Sequence, residues 1–479
     1  MPSLARSEAG CLIVGGGLYS LITAGALLNS GVDADDILIV EGSEFLGGQF
    51  QSERVEGDFR LDRGTRILYE TGDQRADHFI RTIMDRCSVQ VLEGNRKDIG
   101  GTIEGGLVNS GSPYPTLRTC SMLEKVKILG EILVRADNSL SISERKIGSL
   151  CHYLEKRFGP TARELIHEPI IRQIMGMESR FLSDRLTEIL PLDRLVVFSQ
   201  SVMTDLARSE FMKSRLAFPD QLNLPNLRLS DFRGYYPSLP GIQSFVEIAE
   251  DILTEAGVRI MKSTAVDSFS DVANNGVTVL LSSRGESKRF EAIRVRKALL
   301  WTSGIHALAR CSQLSDSEIP STSLRRTSII HLAVPNVSEL EDSYYVYNHD
   351  SSLQMFRITN YSSYCPNAQS DGWYPITVEA FSVDSESPEL VIRRTIAEVS
   401  SVLKLRREDV RLLGSENSFV GGIPVPLISD EESWTRITSQ IYDRASTILY
   451  ASGLGSGRPK FLGREIVNDN LKFVDNLMA

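Results

Sequence analysis

Residues 11–31 read CLIVGGGLYSLITAGALLNSG, and residues 37–50 read ILIVEGSEFLGGQF. The run Cys11–Val14 is short and apolar, which suits a strand buried on both faces. The glycine turn GGGLYS breaks it. The segment after the turn has helical spacing and ends near Gly31, and Ile37–Glu41 reads as a second strand. Strand, turn, helix and strand in this order make a βαβ unit of about the expected length. Gly15, Gly17 and Ser20 occupy the positions of G-x-G-x-x-G. The first allows a tight turn. The second lets the backbone approach a pyrophosphate at the positive helix N-terminus. The third, serine where glycine is usual, is small enough for helix–strand packing. Glu41 ends the second strand, where a carboxylate can accept hydrogen bonds from ribose hydroxyls and repels an extra ribose phosphate. The stretch predicts an α/β chain built on a Rossmann-type dinucleotide domain.

Outward from this unit the pattern changes several times. Residues 90–115 hold two glycine-rich turns between alternating stretches, as hairpins do. From 121 to 215, segments such as SMLEKVKILGEILVRA and SLCHYLEKRFG predict a mostly helical region. Pro219, Pro225, Pro237 and Pro240 mark 218–241 as a connector. GIQSFVEIAEDILTEAG, residues 241–257, predicts an amphipathic helix, and VRIM a strand after it. Strand-like runs lie between 276 and 382, helices at 388–403 and 431–445, and the strand TILYAS at 447–452 precedes a last glycine turn and helix.

Composition narrows the class of function. The chain has 479 residues, enough for two or three domains, with 42% hydrophobic and 24% charged residues, an ordinary globular balance. A net charge of -10 argues against a nucleic-acid partner. It leaves room for a local basic pocket that binds a phosphate-bearing substrate. No apolar run of about 18 residues predicts a membrane span, and the N-terminal residues lack the spacing of a signal peptide. Six scattered cysteines, with no C-x-x-C pair, fit reduced thiols in a cytoplasmic protein. No His/Cys cluster has metal-ligand spacing, so no metal is expected. Oligomeric state is left open.

Glu41 is followed by GSEFLGGQF, with the doublet Gly47–Gly48, and then by FRLDRGTRILYETG. Here the sequence resembles the FAD-binding superfamily that includes flavin amine oxidases, protoporphyrinogen oxidase, phytoene desaturase and UDP-galactopyranose mutase. The resemblance implies FAD. It places the Gly-Gly pair near the diphosphate and Asp62 and Gly64 beside the flavin, with Gln49 where the family often has Arg. It extends along the chain. GGTIEGGLVNSGSPYPTL resembles the hairpin before the helical substrate region. Val266 falls where the family offers backbone groups to the adenine, and KALLWTSG where a strand ends beside the cofactor. LYASGLGSGRPKFLGREIVNDN resembles the C-terminal flavin motif, bringing Gly453, Gly455, Phe461 and Leu462 to the cofactor. The implied organisation is a discontinuous FAD-binding domain (1–75, 235–305 and 415–479) with an α+β substrate domain (76–234 and 306–414).

FAD makes hydride transfer from a small polar substrate to flavin N5 the default chemistry. Amine, alcohol and C–C substrates all remain open, with an amine-oxidase-like enzyme as the leading reading. No catalytic base stands out, since each of the six histidines is alone on its pattern and reads as structural or exposed. The segment SYYVYNHDSSLQMFRITNYSSYCP, residues 343–366, is similar to an R-I-T segment of UDP-galactopyranose mutases, whose arginine and nearby tyrosines contact the substrate diphosphate. The similarity implies substrate roles for Tyr345, Tyr347 and Arg357, and Arg458 is a further candidate. A nucleotide sugar is one substrate class; a sheet of alternating tyrosines with Arg357 paired at an edge is the plainer alternative. Mutases carry His where this chain has Arg66, the one catalytic candidate, whose charge could stabilise reduced flavin or bind an acidic substrate. A mutase-like isomerase and a non-catalytic FAD-binding protein stand as alternatives.

Overall fold

The computed structural model describes residues 7–56, 60–93, 111–118, 120–135, 148–228, 232–272, 276–283, 290–314, 319, 324–340, 342–369, 371–382, 386–416, 423–444, 448–452 and 463–478. Its central sheet has seven strands. The order is Arg259–Met261, Ile37–Val40, Glu8–Val14, Phe290–Trp301, Gly276–Ser283, Thr264–Val272, with Leu449–Ala451 also paired to Phe290–Trp301. The strands carrying the glycine turn and its neighbours are parallel, and the outer three form an antiparallel meander.

The apolar run at 11–14 is continuous because both sheet faces are covered. Cys11 and Ile13 join one core, with the helix Leu18–Asn29. Leu12 and Val14 join a second core with Leu308 and Ile437 from helices on the opposite face. The helix Leu18–Asn29 packs against Gln74–Met84, Gln243–Glu255 and the last helix, Gly463–Met478.

A second, five-stranded antiparallel sheet runs in the order Tyr345–Tyr347, Met355–Asn360, Tyr374–Phe381, Thr327–Val334, Arg411–Glu416. Its period-2 alternation separates two kinds of surface. Val346, Ile358, Val378 and Ile330 pack beneath the helix Pro388–Val402. Tyr345, Tyr347, Arg357, Thr359, Thr377, Glu379 and His331 alternate with them and share the other face.

The 121–215 region is helical as expected, including Met122–Val134, Leu150–Phe158 and Glu168–Met175. The expected connector at 218–241 contains a strand: Gly234–Pro237 is the centre of a three-stranded sheet between Leu68–Tyr69 and Val89–Leu92. Pro237 is tolerated because it closes that strand, where proline's missing N–H costs least. The hairpin turns expected within 90–115 lie largely outside the described residues, as 94–110 do. Among the described residues no helix is long and apolar enough to cross a membrane.

Candidate functional site

The dinucleotide turn is built from contacts too close for side chains. Gly15 has φ +108°, and a Cβ there would stand 2.5 Å from Thr302 Oγ1. A Cβ on Gly16 would stand 2.4 Å from Leu46 Cδ2. Gly17, the N-cap of Leu18–Asn29, has nothing within 4 Å of the place its Cβ would occupy. Its N-cap residue has no side chain to cap it, and no acidic residue stands in its first turn. Among the described residues its positive end is therefore left to an anion.

The doublet Gly47–Gly48 lies alongside. Gly47 N donates to Gly16 O at 2.8 Å, and both glycines of the doublet have positive φ. A Cβ on Gly48 would come 3.7 Å from the Gly17 Cα. Two glycine turns far apart in motif logic thus form one cradle. Ser20, at the third motif position, is buried and hydrogen-bonds Thr302 Oγ1 at 2.9 Å, while Thr302 donates to Val14 O at 2.9 Å. The serine ties the helix to the end of the strand Phe290–Trp301, a role the third glycine does not have. Thr302 lies in the KALLWTSG stretch, but its own role was not read from sequence.

Glu41 accepts from Gly16 N and from Ser43 N, each at 2.7 Å. It braces the turn from below, and each oxygen keeps acceptor capacity for a further donor. Val266 lies on the strand Thr264–Val272, whose first residue reaches this corner: Thr264 N donates to Glu41 O at 2.8 Å. Its own carbonyl accepts from Cys311 Sγ at 3.0 Å. Gln49 is exposed, and its carbonyl accepts from Arg66 Nε at 2.9 Å.

The segment Asp62–Arg66 crosses from this cradle to the polar face of the five-stranded sheet. Asp62 is fully buried. Its carboxylate accepts from Tyr236 OH at 2.6 Å, Ser52 Oγ at 2.7 Å and Ile242 N at 2.9 Å. Burial raises its pKa, and these donors work against that rise. Gly64 has φ +81°, and a Cβ there would lie 2.8 Å from the Glu379 carboxylate carbon. Thr65 Oγ1 meets Thr359 Oγ1 at 2.8 Å.

Arg357 forms a two-pronged ion pair with Glu379: Nη2 to Oε1 is 2.9 Å, and Nε binds Oε2. The guanidinium carbon lies 5.4 Å from the Tyr345 ring centroid and 5.7 Å from that of Tyr347, and the two rings meet edge to face at 5.3 Å. Burial opposes the charge on Arg357, but Glu379 outweighs it and holds the guanidinium above its ordinary range. For Arg66 burial prevails. Its pKa is lowered, with Arg357 adding to the effect and Glu379 opposing it.

Arg66, Arg357, Tyr345, Tyr347 and Gly64 are therefore brought together. Glu379, which joins them, was missed. Its signal in YPITVEAF was a single charge on the same parity as Thr377 in an otherwise apolar strand. Gly453, Gly455, Arg458, Phe461 and Leu462 lie outside the described residues.

A family model of the NAD(P)-binding Rossmann-like domain matches residues 13–87. No curated protein matches the chain in sequence. Among solved structures, the chain is similar to a reduced UDP-galactopyranose mutase at 14% identity, over 98% of this chain and 96% of that one, with a TM-score of 0.69. It is similar to a protein assigned as a protoporphyrinogen oxidase from Exiguobacterium sp. 255-15 at 15% identity, over 99% of both chains, with a TM-score of 0.62. It is also similar to putrescine oxidase bound to putrescine at 13% identity, over 98% and 99% of the two chains, with a TM-score of 0.58. At these identities the likeness is one of fold, and it runs over almost the whole chain: the chain shares its α/β fold with these proteins.

Proposed function

We propose that this protein is an FAD-dependent oxidoreductase acting on a small polar substrate that carries an anionic group. The observation that carries the reading is the meeting of the glycine cradle with a two-arginine, two-tyrosine face through one short segment, Asp62–Arg66. FAD fits the residues present. Gly17 and Gly48 leave space beside the backbone for a diphosphate, Gly15 and Gly47 make the turns that hold them there, and the helix N-terminus favours its charge. Glu41 and Val266 stand at the corner suited to the ribose and adenine. Gln49, Asp62 and Gly64 line the way to the ring, and Gly453, Gly455, Phe461 and Leu462 complete the set by resemblance.

When bound, FAD supplies a hydride acceptor. The protein's own contribution is positional and electrostatic. Arg66, whose charge is costly where it lies, stabilises negative charge that develops beside it. Arg357, its Nε and Nη2 held by Glu379, offers its remaining N–H groups to a substrate anion, with Tyr345 and Tyr347 walling its sides. Arg458 is a second candidate for that anion. An amine is the leading substrate type, and a cytoplasmic location suits the free cysteines.

A second reading is a flavin-dependent isomerase of a nucleotide sugar. It is supported by the Arg357–Tyr345–Tyr347 face together with the likeness to UDP-galactopyranose mutase. An anaerobic screen of amines, alcohols and nucleotide sugars, followed by flavin absorbance, separates these readings. Bleaching by substrate alone supports the oxidoreductase. Turnover only after dithionite reduction, with an isomeric product, supports the isomerase. Yellow protein that no candidate bleaches or isomerises points to a non-catalytic FAD-binding role, and colourless protein that binds no added FAD ends all three.

A further inference from the structure

Behind the arginine cluster runs a line of buried hydrogen-bonding groups, His331, Thr377 and Tyr361, that neither flavin nor substrate binding uses and that ends on the Asp62 backbone. His331 Nδ1 lies 2.8 Å from Thr377 Oγ1, and Thr377 Oγ1 lies 2.8 Å from Tyr361 OH. Asp62 N donates to Tyr361 OH at 2.8 Å, and the Asp62 carbonyl lies 3.3 Å from the same hydroxyl. At the other end, His331 Nε2 faces Glu53 Oε2 at 3.5 Å. His331, Thr377, Tyr361 and Asp62 are fully buried, so water does not substitute for a partner.

Hydrogen counting allows this line two directions. With a neutral imidazole, the Glu53 carboxylate favours N–H on Nε2, because a lone pair there would face a negative charge. Nδ1 then accepts from Thr377, Thr377 accepts from Tyr361, and Tyr361 accepts from Asp62 N–H. With an imidazolium, Nδ1 becomes a donor and every hydroxyl turns round. Tyr361 then receives from Thr377 and directs its own proton at the Asp62 carbonyl. Burial, with the nearby Asp62 carboxylate adding to it, holds the Tyr361 hydroxyl well above its ordinary pKa, so it keeps one proton to give in either state.

We infer that His331, Thr377 and Tyr361 form a reversible hydrogen-bond chain, with the Glu53 carboxylate facing its outer end, that transmits the protonation state of His331 to the backbone of the Asp62–Arg66 segment. The receiving carbonyl is already shared with Gly64 N, which donates to it at 2.8 Å, so a second donor pulls on the turn that places Gly64 and Arg66. Glu53 brings a charge to His331, and further charged groups lie on the strands beside it. Glu53, on the strand Ser52–Arg54, also accepts from Arg63 at 3.3 Å. Glu379 stands two residues from Thr377 on the neighbouring strand, with Arg357 one strand beyond, and Gly414 lies opposite His331 on the other side. His331 is a positioning residue in this scheme, acting through Tyr361. The consequence for chemistry rests on the proposed flavin-facing role of Asp62–Arg66, whereas the chain itself does not.

The test is NMR on the full-length protein as purified, labelled with 15N-histidine and 15N-aspartate, across about pH 5 to 8, the window in which imidazoles titrate. The expected result is that the Asp62 amide shifts with the same midpoint as the His331 ring nitrogens. In Tyr361→Phe, and independently in Thr377→Val, the Asp62 amide no longer follows the His331 ring nitrogens. An Asp62 amide that ignores His331 in the wild type, one that still follows it in both variants, or a His331 ring that does not titrate in this window overturns the inference. Because the readout is an amide and not turnover, it is equally decisive if the protein proves to be colourless.

Discussion

Glu379 shows how much a single charge can organise. It balances Arg357, lies against the Gly64 backbone and influences Arg66. Arg357 and Glu379 are both largely buried, with side chains 11% and 12% exposed. Removing one partner leaves a buried charge unmatched, which costs about 3–5 kcal/mol. Glu379→Ala is therefore expected to lower unfolding stability by that order in urea. The double variant Arg357→Met with Glu379→Leu recovers most of the loss, because neither charge remains to be solvated. Gly64→Ala makes a separate prediction. Its φ of +81° costs a side chain about 1–2 kcal/mol, and the added Cβ drives the Glu379 carboxylate aside. Flavin content and substrate affinity should both fall, measured by absorbance and by titration.

At the scale of elements, the helix Leu18–Asn29 is held by contacts that override its own propensities. Gly25 lies mid-helix, where alanine would add about 1 kcal/mol of helix stability. Its Cβ, however, would stand 2.2 Å from the ring of the buried Phe79 on Gln74–Met84. Overpacking of this kind costs about 1–3 kcal/mol. Gly25→Ala is thus expected to lower the Tm, and Gly25→Ala with Phe79→Leu to regain much of it. Ser20→Ala removes the bond to Thr302 and should cost roughly 1 kcal/mol in a denaturant titration. The strand–turn–helix–strand unit was legible because each of its elements obeys a local rule: apolar strands, glycines at the turn, a carboxylate at the second strand end. The strand Gly234–Pro237 was not, because its glycine and the prolines in and around it argue for a connector. Only its pairing with Leu68–Tyr69 and Val89–Leu92 makes it a strand.

For the whole molecule, the interface between the helical region and the five-stranded sheet carries a pH dependence. Burial pushes His167 down to about 4 and His349 likewise to about 4. Both are neutral when folded, whereas in the unfolded chain they protonate near pH 6.5. The unfolded state therefore binds more protons between about pH 6.5 and 4. Stability is fullest above that window and falls as pH drops through it. Urea midpoints measured at pH 7 and pH 5 should differ by more in the wild type than in the double variant His167→Gln with His349→Gln. An equal loss in both would remove these two histidines as the cause.

By itself the sequence determined the dinucleotide turn, the helical middle region and the alternation of the tyrosine strand, since each depends on residues close together in the chain. It also marked Arg66 and Arg357 as chemically promising, in separate segments and for separate reasons. Only the tertiary structure decided that they share one face, that Glu379 joins them, and that His331 is linked through Thr377 and Tyr361 to Asp62. Those relations depend on which strand lies beside which and in what register. Register is set by the packing of the apolar face beneath Pro388–Val402, which places the polar face without being visible in it.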